Sequence, residues 1–146
     1  MAKKTASKKK PAARNEPMVA LYGLDAGTPR GDAVREVLRG LGLRVRTITP
    51  EHLNDPVGAI AGMVGMRPSP KPFEGEAPND EFMLVCNLSG AQLDAVLSGL
   101  RQANASIAHK AQVTPHNRLW PLHVLMAEIA KEHGAMTAQS QAAQGE

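Results

Sequence analysis

Apolar positions along this chain follow two rhythms, and the changes between them mark the elements. Met18 to Leu24, MVALYGL, is a nearly unbroken apolar run of strand length, as expected of a buried strand. Thr28-Pro29 then supplies an N-cap hydroxyl and a proline at the first helical position. Val34, Val37, Leu38 and Leu41 follow at i, i+3, i+4 and i+7, the stripe of an amphipathic helix, and Gly40 and Gly42 close it. Leu43 to Thr49, LRVRTIT, alternates apolar with polar and predicts a half-buried strand. Asp55-Pro56 opens a second helix, with Val57, Ile60, Ala61 and Val64 as its stripe. Gly58 and Gly62, one turn apart, weaken this helix but let a neighbour approach closely.

Residues 66–81, MRPSPKPFEGEAPNDE, hold four prolines and predict a linker or long surface loop. The order then repeats. Phe82 to Leu88 is a continuous apolar run fit for a strand buried on both faces. Ser89 and Gln92 have capping-box spacing, and Leu93, Val96, Leu97 and Leu100 form a stripe that Asn104 stops. Ser106 to Val113 predicts another strand. Pro121 opens a last helix, with Leu122, Leu125, Met126 and Ile129 toward the core and an end at Gly134. The fold class is therefore α/β. Two strand-helix-strand-helix halves, residues 18–65 and 82–136, form one four-stranded sheet with helices packed on it. Thr49-Pro50 precedes Pro56 by the same spacing at which Thr114-Pro115 precedes Pro121, which points to a degenerate internal duplication.

Composition refines this picture at the ends. Residues 1–17 and 137–146 offer too little apolar surface to offset their ordering entropy, so both read as disordered tails around a folded body of residues 18–136. The net charge of +3 belongs to the N-terminal tail, where Lys3, Lys4, Lys8, Lys9, Lys10 and Arg14 stand without an acid among them. The rest of the chain sets eleven basic residues against fourteen acids, two of which, Glu16 and Glu146, fall in the tails, so the body itself is only slightly acidic. That disfavours a basic nucleic-acid groove on the domain and leaves the tail as the part suited to nucleic acid or another polyanion. With two Phe, one Tyr and one Trp, stacking platforms for bases are scarce as well. One cysteine, Cys86, excludes an intramolecular disulfide framework. No apolar run approaches the ~20 residues that span a bilayer, and no apolar segment follows the N-terminal charge as in a secretory signal. The expectation is a cytoplasmic protein without membrane contact.

Ligands of α/β sheets collect at the carboxyl ends of parallel strands. Four segments are expected there: Asp25 to Thr28, Thr49 to His52, Asn87 to Gly90, and Thr114 to Trp120. The last is the richest. Within seven residues it holds Thr114, His116, Asn117, Arg118 and Trp120, with Lys110 just upstream, and these six are the candidate ligand- or partner-binding residues. Lys110-Ala111-Gln112-Val113-Thr114-Pro115-His116-Asn117-Arg118-Leu119-Trp120 resembles the K-A-x-x-T-x-x-N-x-x-W signature of a family of small bacterial domains of unknown function, catalogued as DUF 3783. Leu125, Glu128 and Glu132-His133 resemble the helix that follows it. The resemblance is best over residues 82–134. Pro121 stands where the family usually has Thr, one helix-start device for another. The resemblance implies no activity, since none is established for the family.

The same loop has a purely structural account. Thr114 and Asn117 satisfy backbone groups in turns, Trp120 packs at a helix entrance, and Lys110 pairs with an acid such as Glu128. The other candidates are weaker. His109, His116 and His123 are seven apart, which is no metal-ligand spacing, so neither a metal nor a cofactor is expected. DAGTPRG, residues 25–31, has glycines and an Arg at a helix start but lacks the Walker ending. Cys86 reads as an inert core residue. No Ser-His-Asp or Cys-His set can be assembled. The reading is a non-catalytic binding or regulatory module for a protein or small ligand. Its alternatives are polyanion association through the tail, or a small enzyme at the Thr114–Trp120 loop.

Overall fold

The central strands are apolar at every position because each packs on both sides. Met18, Ala20 and Tyr22 enter one core with Phe82, Leu84 and Cys86, while Val19 and Leu21 enter another with Met83 and Val85. The computed structural model describes residues 16–144, so the six basic tail residues lie outside the described residues. The elements are β1 (Met18–Tyr22), α1 (Pro29–Gly40), β2 (Arg44–Ile48), a 3-10 turn (Pro50–His52), α2 (Val57–Ile60), β3 (Phe82–Cys86), α3 (Gly90–Gln102), β4 (Lys110–Gln112) and α4 (Leu122–Gln144). They form an α/β domain with a four-stranded mixed sheet in the order β2-β1-β3-β4. Helices α1 and α3 supply the core on one face of the sheet, α2 and α4 the core on the other.

Each half contributes one parallel pair, β1 with β2 and β3 with β4. The halves join through β1 and β3, which run antiparallel with Met18 opposite Cys86, Ala20 opposite Leu84 and Tyr22 opposite Phe82. A second junction lies where α2 and α4 begin. Pro56 and Pro121 form an isolated antiparallel bridge. Val57 N–H donates to the Trp120 carbonyl at 2.8 Å, and Leu122 N–H donates to the Asp55 carbonyl at 2.9 Å. Gly58 N–H reaches the Arg118 carbonyl at 2.8 Å, as His123 N–H reaches that of Leu53 at 2.9 Å. Each bond in one half has its counterpart with the halves exchanged, and the helix-start prolines that follow the two Thr-Pro strand exits, Pro56 and Pro121, meet at the centre. Descent of the two halves from a duplication is a proposal, and this reciprocity is what supports it.

The helix starts follow their local chemistry. Thr28 Oγ1 accepts from Gly31 N–H at 3.0 Å, with Pro29 in the first turn. Ser89 and Gln92 close a reciprocal capping box at 2.8 and 3.1 Å. Buried Arg35 donates twice to the Leu24 carbonyl and once to Thr47 Oγ1, tying the β1 exit to β2.

Four boundaries differ from the pattern-based expectation. Helix α2 is a single turn: Gly62 and Gly65 take φ of 81° and 82°, and Val64, expected in its stripe, is 64% exposed. Leu41 lies past the last turn of α1 as its C-cap and is exposed. The strand expected from Ser106 to Val113 narrows to β4, whose partner residues are Met83 to Val85. Helix α4 runs through Gly134 and the residues read as a tail, to Gln144, because the Ala- and Gln-rich segment after one glycine favours helix. The Pro-rich segment forms a loop, as expected, and it is pinned. Asn54 donates to Ser69 Oγ and the Lys71 carbonyl, Asp55 accepts from Ser69 N–H, and Phe73 packs on the α2/α4 core.

Candidate functional site

The carboxyl ends of β3 and β4 lie side by side, and the turn after β4 is built by two of its own side chains. Thr114 N–H donates to Asn117 Oδ1 at 2.9 Å, and Asn117 N–H donates to Thr114 Oγ1 at 3.0 Å. Asn117 Nδ2 reaches back to the Gln112 carbonyl at 2.9 Å. Asn117 is buried, so all of its polar groups act within the fold. The turn after β2 uses the same device, with His52 in place of Asn117: Thr49 N–H donates to His52 Nδ1 at 3.0 Å. An accepting Nδ1 leaves the ring proton on Nε2.

This turn borders a cleft of about 240 Å³. Its lining includes Cys86 and Val113 from the strand ends and Ala61 and Met63 from beyond α2, with Asn87, Thr114, Pro115 and Arg118 supplying the remaining groups. Asn87, at the exit of β3, takes a left-handed φ of 62°, which Asn tolerates better than most residues. Arg118 is half-buried, and among the described residues its guanidinium has no hydrogen-bond or ion-pair partner. Cys86 is only 1% exposed, and burial pushes its thiol up to about 12 against the opposing pull of Arg46. At neutral pH it is a protonated and weakly nucleophilic thiol.

The structure divides the six loop candidates. Thr114 and Arg118 line the cleft, and Asn117 holds the turn from beneath. Exposed His116 lies against Trp120, ring centroids 5.2 Å apart with planes at 68°. Trp120 is half-buried on the α2/α4 core. Lys110 stands apart. Its ammonium donates to the Ile107 carbonyl at 2.8 Å, where the sequence suggested an acid such as Glu128, and its stem borders an apolar groove with Met83, Val85, Leu93 and Leu97. Cys86, Ala61 and Met63 are among the cleft residues that sequence reasoning missed. Cys86 reads as core from its apolar run, and Met63 arrives from the other half.

The Asp25–Gly31 segment is committed to the fold. Gly27 N–H donates to Asp32, Thr28 caps α1, and Arg30 pairs with Glu81 at 2.6 Å while also donating to the Ser106 carbonyl. Among the described residues no group of three or more His, Cys, Asp or Glu side chains is arranged to hold a metal ion, and no helix is long and apolar enough to cross a membrane.

A mixed-sheet α/β domain with a small cleft at the end of one parallel strand pair is the class that fold and site define. Residues 81–136, the half that carries the cleft's turn, match the model of the family described as Domain of unknown function (DUF3783), where the resemblance of the K-A-x-x-T-x-x-N-x-x-W signature placed them. No curated protein and no solved structure matches the chain.

Proposed function

We propose that this domain is a non-catalytic binding module whose ligand enters the cleft at the ends of β3 and β4 with an acidic group facing Arg118. The observation that carries the proposal is the guanidinium of half-buried Arg118, which has no acceptor among the described residues, beside a largely apolar floor. The planar fork of Arg matches a carboxylate bidentately, and a guanidinium with no partner in the fold is free to take one. A few convergent polar groups over an apolar floor are what a ligand site requires. At about 240 Å³ the cleft lies below the ~300–1,000 Å³ of sites for drug-sized ligands, so a small acid fits it. Binding is favoured over catalysis by the chemistry of the lining. The cleft's thiol is protonated, His116 is engaged with Trp120, and Lys110 borders a different groove.

Titration with a panel of small aliphatic and aromatic carboxylates, followed by amide chemical shifts, tests this. The expected shifts centre on Asn87, Thr114 and Arg118 and vanish in Arg118→Ala. That substitution should change stability by less than about 0.5 kcal/mol, since its guanidinium holds no partner among the described residues. Shifts that persist in the variant, or that map elsewhere, would overturn the reading.

A second reading rests on charge separation along the sequence. The six basic residues among the first fourteen precede a body of net negative charge, which suits contact between the tail and a polyanion. Deleting residues 1–16 should abolish any nucleic-acid binding and leave the thermal midpoint nearly unchanged. Salt-resistant nucleic-acid binding by the truncated chain would count against it.

A further inference from the structure

Away from the cleft, two histidines from different elements come together. His109 lies in the segment entering β4 and His133 on α4, and their ring centroids are 4.9 Å apart with planes at 83°. The sequence gives no hint of this pairing, because β4, a turn and the first half of α4 separate the two positions. Neither ring has a hydrogen-bond partner among the described residues. His109 also lines a cavity of about 220 Å³, shared with Asp80, Glu81 and His123. His123 is engaged there with the Phe73 ring, and Glu81 with Arg30.

We propose that His109 and His133 together bind one divalent transition-metal ion, with zinc, nickel or copper as the chemical class. Two imidazoles sharing one ion at ~2.0–2.1 Å in tetrahedral geometry place their ring centroids about 5 Å apart, which is the separation seen here. His133 is exposed, and rotation about its terminal torsion is soft, so its nitrogen can turn toward that of His109 without backbone movement. Neutral imidazole suits zinc, copper and nickel, whereas magnesium and calcium prefer oxygen. Because no third His, Cys, Asp or Glu joins the pair among the described residues, the other coordination positions belong to water, and the ion exchanges readily. Edge-to-face packing of the rings accounts for their distance too, but it gives them no affinity for a metal.

The test uses the full chain, stripped with chelator and titrated with zinc by calorimetry. It is repeated with nickel or copper while the ring-proton resonances of the five histidines are followed. One zinc ion per chain is expected, and the His109 and His133 resonances should broaden first with the paramagnetic ion. His133→Ala, at an exposed position, should weaken zinc by more than the roughly 10–100-fold that loss of an outer-shell partner costs. His116→Ala should bind as the unaltered chain does. Unchanged affinity in His133→Ala, or broadening at His109 and His133 no greater than at His116, would overturn the proposal. Should His109→Ala fail to fold, His133→Ala and the resonance order still decide it.

Discussion

Gly31→Ala is expected to destabilise the domain by about 2–4 kcal/mol, although in most helices the same change is favourable. A Cβ at Gly31 would lie 2.0 Å from the Asp25 carbonyl oxygen, 2.6 Å from Thr28 Oγ1 and 2.8 Å from the Asp25 carbonyl carbon. Two of these are backbone atoms, so the Asp25–Thr28 turn must move, and no side-chain rotation relieves the clash. Forcing such a volume into a packed site costs about 1–3 kcal/mol. The movement also breaks the cap, since Thr28 Oγ1 accepts from Gly31 N–H and donates to the Asp25 carbonyl, and losing a cap costs about 1 kcal/mol more. Gly40, at the other end of α1, has open space where its Cβ would stand. Gly40→Ala should therefore be neutral or stabilise by up to about 1 kcal/mol through lower unfolded-state entropy. Urea denaturation of both variants checks the contrast. Equal midpoints would mean that the turn preceding α1 is not closed as described.

The same glycine shows where sequence patterns stop informing. DAGTPRG has the composition of an anion-binding helix start, and the cap on Thr28 with Pro29 behind it is legible because its partners lie within three residues. What removes the anion site is distant: Arg30 is held by Glu81 and by the Ser106 carbonyl, across the sheet from its own half. The capping box at Ser89 and Gln92 and the two apolar strands were legible for the same local reason. The antiparallel join of β1 to β3 was not, because pairing across some sixty residues of chain leaves no mark in either strand's periodicity. Helix α2 misled the pattern because its stripe continues past Gly62, which leaves the helical region. Of the candidate loop, the reciprocal bonds of Thr114 and Asn117 followed from their turn chemistry. The partners that complete the cleft, Cys86 and Met63, come from other strands and loops and follow from packing alone.

Asn117→Ala is expected to cost about 2–3 kcal/mol, and Trp120→Ala about the same, so the small amide matters as much as the large indole. Trp120 is half-buried, which places its deletion below the ~3–5 kcal/mol typical of a fully packed large aromatic. Asn117 reaches a comparable figure through hydrogen bonds. Its amide satisfies Thr114 N–H and the Gln112 carbonyl together, and a buried polar group left without a partner costs about 1–3 kcal/mol. Asn117→Asp separates the two contacts. The carboxylate still accepts from Thr114 N–H, but it faces the Gln112 carbonyl with no proton to donate. The protonated acid can donate there, so the fold favours the neutral form and raises the acid's pKa above its unfolded value. A folded state that binds the proton more tightly gains stability as pH falls. The deficit of Asn117→Asp relative to the unaltered chain should therefore shrink as pH drops through the carboxylate range, while that of Asn117→Ala stays constant. Denaturation midpoints of the three proteins at neutral pH and near pH 4 measure this directly. A deficit in Asn117→Asp that does not change with pH would mean that the Gln112 carbonyl has found another donor, and that Asn117 fixes the turn through Thr114 alone.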